Sequence, residues 1–425
     1  MVGSLSNATN RPSASLPESL RVLVLGTILL VIFAVPQRAA QMSRSDQTLK
    51  NAFAKQFWVG AYVPGWNQEP LGPKRGRRLD AITHFLHFAV YFRPEDGGLD
   101  LQTNGLTPSK MRAMVSAAHR SGKQALLVVG GEGAAPGLRI ATGPARLQNT
   151  LRSILSLIDH YGYDGIDVDW EPLTPADAEL YSIFVETLRR NLDQIGLAHQ
   201  RHRLVLTTAI EVNLNDRGYM SSLVRTLRRL DENFDQINLM TYAMANPKSL
   251  PFVWHNSALY PGSTLPYHGF QAPSADGAIQ EFFTAGFHPG KLGIGINLHG
   301  YLWQGQGFED ISAPGKLWKV PPKVVELTYG EVIKEYFGRS PTRWDEEAEV
   351  PYISMPQTNQ LISYEDGRGI EAKLLYVQQK GLGGVIIWEI GRDNRDENAK
   401  RQLLRAINNG VFSNRPLESR EVALH

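Results

Sequence analysis

Cysteine is absent from all 425 residues. That excludes disulfides, thiolate nucleophiles, zinc–thiolate sites, iron–sulfur clusters and acylation at a bacterial lipobox. An excess of charge of either sign is missing too: 44 basic side chains face 42 acidic ones, for a net +2. So small a surplus gives no long-range attraction to nucleic acid or anionic membranes. No Walker motif, HExxH helix, internal repeat or low-complexity tract occurs. Gly131, Gly133 and Gly137 miss the GxGxxG spacing, and Glu132 between them would repel a pyrophosphate. No organic cofactor or metal is indicated. A spanning helix wants roughly 20 apolar residues. The apolar run at 22–35 has 14, preceded by Arg11 and Arg21 and followed by Pro36, Ala39 and Ala40. It reads as a signal-peptide core, so residues 1–41 are expected to direct export to a secreted or periplasmic location. The long leader and the lack of a good A-x-A site leave an uncleaved membrane anchor as the alternative. Lys74, Arg75, Arg77 and Arg78 read as a solvated charge run.

What the chain does have is 42% hydrophobic residues, arranged in recurrent short runs. Eight are rich in Val, Ile, Leu and aromatics: residues 58–63, 83–92, 123–130, 163–171, 203–210, 234–243, 291–298 and 383–390. Helical patterns separate several of them. In one, Leu180, Ile183, Phe184, Leu188, Leu192 and Ile195 form an apolar stripe, with Thr174, Pro175 and Asp177 suited to start the helix. Eight strands alternating with helices predict an α/β fold, a parallel (β/α)8 TIM barrel over residues 55–410. Residues 302–366 exceed any ordinary βα loop. They predict a small α+β insertion subdomain after the seventh strand, and 411–425 reads as a C-terminal tail.

The fourth run carries Asp164, Gly165, Ile166, Asp167, Val168, Asp169, Trp170 and Glu171. Alternate residues of a strand share a face, so Asp167, Asp169 and Glu171 point one way and Ile166, Val168 and Trp170 the other. In a barrel the apolar set faces the helices, and the carboxylates enter the interior, rising about 6.6 Å per step. Glu171 then reaches the C-terminal rim. Such buried acids must be paired, hydrogen-bonded or protonated, and a protonated acid at a rim is what general acid catalysis requires. The two alternatives are an edge strand with its acids in water, which the apolar Ile166, Val168 and Trp170 disfavour, and a cluster of hard-cation ligands.

This segment resembles the DGxDxDxE signature of glycoside hydrolase family 18, the chitinases and endo-β-N-acetylglucosaminidases. Other similar segments follow in order: VGAYVPGW in the first run, VVGG at 128–131, QINLMTY at 236–242, GIGINLHGY at 293–301, ISYEDGRGIEAK at 362–373 and GGVIIWEI near the end. The resemblance implies hydrolysis of β-1,4-linked N-acetylglucosamine polymers with retention, the substrate's own acetamido oxygen attacking the anomeric carbon. Glu171 would be the acid and then the base, Asp169 would orient the acetamido N–H, and Asp167 would balance the proton of its neighbour. Tyr242 would donate to the acetamido carbonyl. Trp388 would floor the sugar, Tyr62 would bond to Asp167, and Met240 belongs to the same substrate-binding set. Trp66, Trp254 and Trp303, placed in rim loops, are candidate sugar platforms.

Two positions depart from the family pattern. Ala243 stands where an aspartate usually follows the motif tyrosine, and Val128 where a serine usually opens SxGG, removing one expected partner of Asp167. Three other readings stay open at this level: a retaining scheme with Asp169 as covalent nucleophile, a lectin-like barrel that binds without turnover, and a hydrolase of peptidoglycan or N-glycan cores. The expected partner is an N-acetylglucosamine polysaccharide or oligosaccharide, and the expected state a monomer.

Overall fold

A computed structural model describes residues 57–68, 79–198, 203–245, 247–248, 250–262, 272–394 and 402–412. The apolar run at 22–35, the basic cluster at 74–78 and the tail beyond 412 lie outside the described residues. In chain order the strands are β1 (Trp58–Pro64), β2 (His84–Phe92), β3 (Leu99–Asp100), β4 (Gln124–Gly131), β5 (Gly165–Trp170), β6 (Val205–Glu211), β7 (Gln236–Met240) and β8 (Leu292–Asn297). They continue with β9 (His299–Gln304), β10 (Lys323–Thr328), β11 (Thr342–Asp345), β12 (Val350–Met355), β13 (Gln360–Ser363) and β14 (Gly384–Trp388).

The eight predicted runs became β1, β2, β4, β5, β6, β7, β8 and β14, which pair in parallel in the order β1-β14-β8-β7-β6-β5-β4-β2. Because β1 also pairs with β2, the ring is closed, and no edge is left open. Buried side chains on both faces of these strands explain their near-continuous apolar character. Side-chain caps start the intervening helices: Thr107 accepts from Lys110 N, Asp216 from Tyr219 N, Ser274 from Gly277 N and Asp366 from Gly369 N. Thr174 and Asp177 form the expected capping box ahead of the helix Ala178–Ala198. The buried row of that helix differs from expectation. Tyr181 and Val185 join Phe184, Leu188 and Leu192 inside, while Ile183 is exposed. Ile183 lies 200° around the helix from the buried Val185, on the far side of the row, while the Tyr181 hydroxyl bonds Thr208 Oγ1 of β6 at 2.9 Å.

Strands β9–β13 form a separate antiparallel sheet, order β10-β9-β13-β12-β11, inserted between β8 and β14. It starts at His299, three residues before the predicted boundary, because only Leu298 separates β8 from β9. Its last strand ends at Ser363.

The core of this sheet corrects the reading of two tryptophans. Trp303 lies on β9, not in a rim loop, and is 0% exposed; Trp254 is 4% exposed, with its Nε1 donating to the Pro273 carbonyl at 3.0 Å. Both belong to one cluster with Leu250, Phe252, Val253, Ile311, Val350 and Leu361. The stretch between β7 and the helix Ala275–Thr284 thus folds into the insertion's core, so neither indole has a face left for a sugar.

Candidate active site

Glycines let the strands around β5 approach closely. A Cβ on Gly165 would overlap the Val205 backbone, and one on Gly130, where φ is +120°, would overlap the Asp169 carbonyl. Asp164 stands at the opposite end of β5 from Glu171, where its Oδ2 accepts from Ala125 N and His119 Nε2, both at 2.8 Å. Asp164 and Gly165 therefore anchor the strand, and the alternating acids above them face the interior as the pattern predicts.

Asp167 is 0% exposed. It accepts from the Tyr62 hydroxyl at 2.8 Å and from Thr207 Oγ1. Val128, its partner in register on β4, offers no polar group. Thr207, its partner on the other side, supplies the bond instead. Burial lifts Asp167 to about 6, with the two hydroxyl bonds pulling downward. Asp169 is 3% exposed and is raised well above the ordinary carboxylate range, first by burial and then by the charges of Glu171 and Asp167. Glu171 is pushed up to about 7 by burial and then by the charge on Glu211; its hydrogen bond with Asp169 opposes the rise, and Glu132 adds to it. Asp169 and Glu171 thus titrate as one pair, on which a proton is held near neutrality. The second oxygen of Asp169, Oδ1, is buried without a partner among the described residues.

Tyr242 comes one residue after the end of β7, beyond Thr241, and its ring lies against Gly295 of β8, where a Cβ would come within 2.5 Å of it. Burial and the charges of Asp169, Glu171 and Asp167 raise its hydroxyl well above the ordinary value, which keeps it a donor. Met240 closes β7 and packs beneath with Leu126, Val128, Ala209 and Ile386. Trp388 ends β14 with its ring edge-on to Tyr62 (centroids 5.5 Å apart) and to Phe88 (4.9 Å). Phe88 in turn meets Trp66 at 5.6 Å. These four rings form one wall, with Trp66, 52% exposed, at its open end. The peptide bonds Phe88–Ala89, Glu171–Pro172 and Trp388–Glu389, each beside a side chain of this site, are cis. Ala243 has φ +53° and donates its N–H to Asn256 Oδ1 at 2.7 Å.

The structure therefore gathers Asp167, Asp169, Glu171, Tyr62, Tyr242, Met240, Trp388 and Trp66 at the C-terminal end of the barrel and leaves Trp254 and Trp303 out. It adds Thr207, Phe88 and Glu211, which the sequence reading did not single out. Inward parity on β6 was the available sign for Thr207 and Glu211.

Comparison with known proteins bears on the family and the fold. The chain is 23% identical over 319 residues to Chitinase B of Serratia marcescens, covering 65% of this chain and 64% of that protein. It is 28% identical over 265 residues to a probable endochitinase of Caenorhabditis elegans, covering 60% of this chain and 41% of that protein. It thus spans less than two thirds of either relative. The solved structure of a glycoside hydrolase family 18 N-acetylglucosaminidase from Paenibacillus barengoltzii shares the fold, with a TM-score of 0.69, 24% identity and coverage of 83% of this chain and 99% of that one. The model of glycosyl hydrolases family 18 matches residues 59–393, most of the chain. A match of that extent shows that the chain belongs to glycosyl hydrolases family 18.

Proposed function

We propose that this protein is a chitinase-like glycoside hydrolase that cleaves β-1,4 bonds between N-acetylglucosamine units with retention, using the substrate's own acetamido group. The observation that carries the mechanism is the Asp169–Glu171 hydrogen bond beside the partnerless Oδ1 of Asp169. In an ordinary retaining pair the two carboxyls stand about 5–5.5 Å apart across the sugar. Carboxyls bonded to each other lie on the same side of it, which leaves Asp169 no room to attack the opposite face of the anomeric carbon. Asp169 Oδ1 is instead suited to accept the acetamido N–H, and the Tyr242 hydroxyl to donate to its carbonyl.

Each step then follows from the site. Glu171, protonated near neutrality, gives its proton to the departing glycosidic oxygen as that bond breaks. The acetamido oxygen forms its bond to the anomeric carbon, and the resulting positive charge is balanced by Asp169. Glu171, now ionised, takes a proton from water as the water oxygen bonds to the anomeric carbon and displaces the acetamido oxygen. Trp388 provides the apolar floor and Trp66 an outer platform.

The names of the relatives support chitin or its oligosaccharides as the substrate class, and the apolar run at 22–35 supports export. The test incubates wild type and Glu171→Gln with chitooligosaccharides while proton NMR follows the anomeric signals. The expected result is β-anomer first from the wild type and a loss of about 10²–10⁴-fold in the variant. A wild type that binds the oligosaccharides and cleaves none between pH 4 and 9 would make the barrel a lectin.

A further inference from the structure

The half-exposed ring of Trp66 rides on a short turn, Gly65–Asn67, and both ends of that turn are hooked to one residue. Lys110 Nζ donates to the Gly65 carbonyl at 2.6 Å, and the Lys110 carbonyl accepts from Gln68 Nε2 at 2.7 Å. The same ammonium donates to the Gly105 carbonyl at 3.0 Å. Here two turns pack backbone on backbone: a Cβ on Gly65 would overlap the Asn104 carbonyl oxygen and come within 2.9 Å of that of Gly105. Carbonyl oxygens brought toward one point repel each other and lose water, and an ammonium between them satisfies both. No carboxylate pairs with Lys110 among the described residues. Its place in the sequence also opposes its own helix. Lys110 is the third residue of Pro108–Arg120, whose first turn holds no acid, and a cation there meets the positive end of the helix dipole. On the other side of the turn, a Cβ on Gly391 would overlap Asn67 Nδ2.

We propose that Lys110 is a positioning residue for substrate binding, which fixes the Gly65–Asn67 turn so that Trp66 presents its ring to an outer sugar before the sugar arrives. This rests on the reading of Trp66 as an outer platform. The only ring that Trp66 meets among the described residues is Phe88, edge-on at 84°. An indole with half its surface in water is poorly held by its own packing, so its aim is set by the backbone beneath it. Without the two hooks the turn would have to be ordered each time a sugar docked, and that cost falls on binding. Lys110 makes no hydrogen bond to the acids of β5 among the described residues, so the bond-breaking step does not depend on it.

The test is steady-state kinetics on the N-acetylglucosamine tetramer for wild type, Lys110→Met, Gln68→Ala, Trp66→Ala and the double variant Trp66→Ala/Lys110→Met. Methionine keeps the length of the side chain and removes the donor. KM should rise about two- to tenfold in Lys110→Met, the cost of ordering one side chain on binding, while kcat stays within about twofold. Gln68→Ala should act in the same direction. In the double variant KM should match that of Trp66→Ala alone, because without the indole the lysine has nothing to aim. Thermal melts check folding, and if Lys110→Met does not fold, Gln68→Ala and its own double with Trp66→Ala carry the test. A lysine that only supports the fold would lower kcat, or would multiply the loss in the double variant. Either result overturns the proposal, as does a wild-type KM in the folded Lys110→Met. The two levels separate cleanly. If Trp66→Ala raises KM and Lys110→Met does not, this inference alone fails; if Trp66→Ala leaves KM unchanged, the reading of Trp66 as a platform fails first.

Discussion

Asp167 is held between opposing effects: burial pushes its proton on, and the hydroxyls of Tyr62 and Thr207 pull it off. Thr207→Val removes one of the two acceptor bonds at nearly constant volume. We expect kcat at pH 6–7 to fall about tenfold, the equivalent of one hydrogen bond to a charged group. Val128→Ser should stay within about twofold of wild type, because both oxygens of Asp167 already accept a bond. Steady-state kinetics on the two variants tests the pair together, and a larger loss in Val128→Ser would reverse the assignment. Glu171 has a second consequence, for stability. It binds its proton more tightly folded than unfolded, so its contribution is fully present below the ordinary value of 4.5 and is lost as pH rises through about 7. Asp167 acts in the same direction between 3.8 and about 6. Glu171→Gln should therefore melt about 2 °C or more above wild type at pH 8 and lose that advantage near pH 4. Thermal unfolding at the two pH values decides it; a variant that melts lower at pH 8 would contradict this account of burial.

Among the elements, the tryptophans separate by the layer their strand or loop serves. Trp66 caps the aromatic wall and is open to solvent, whereas Trp303 is enclosed on β9. Trp66→Ala should raise KM for the tetramer severalfold and leave the melting temperature nearly unchanged. Trp303→Ala should cost about 3–5 kcal/mol of stability, measured by denaturant titration, through the cavity it opens in the insertion. Sequence alone could not separate these indoles, since each sits in a mixed apolar and polar stretch and only the packing partner distinguishes a platform from a core residue. The barrel strands were legible because burial on two faces leaves a continuous apolar run. The acids of β5 were legible because their alternation survives in one dimension. Thr207 was not, since it shares the inward parity of its strand with ordinary packing residues and its significance lies in the lateral register with Asp167, which one strand's sequence does not record. The 302–366 insertion was visible by its length, but the stretch between β7 and the helix Ala275–Thr284 escaped notice, although it supplies much of the same core.

For the molecule as a whole, that shared core ties the insertion to the stretch that leaves the barrel after β7. Replacing residues 299–363 with a short linker would expose Ala245, Leu250, Phe252, Val253, Trp254, Ala258 and Ala272 together. We expect such a chain to aggregate or to bind a hydrophobic dye rather than to yield a smaller working barrel; a monomer with a sharp melting transition would show the two layers to be independent. The buried pair of Lys373 and Glu365 ties the return from the insertion into the helix Gly367–Lys380 and would be left at the new junction.

Closure of the barrel has a further consequence for the order of events during synthesis. Trp388 belongs to the last strand and Tyr62 to the first, and the two rings touch only because β14 seals against β1. On the ribosome, Tyr62 and all three acids of β5 emerge long before the tryptophan that completes their wall. A chain interrupted between Tyr242 and β14 would carry every proton-handling group and still lack the floor of its sugar site. Appearance of activity during translation would therefore report release of the closed ring, and prematurely terminated products would be silent.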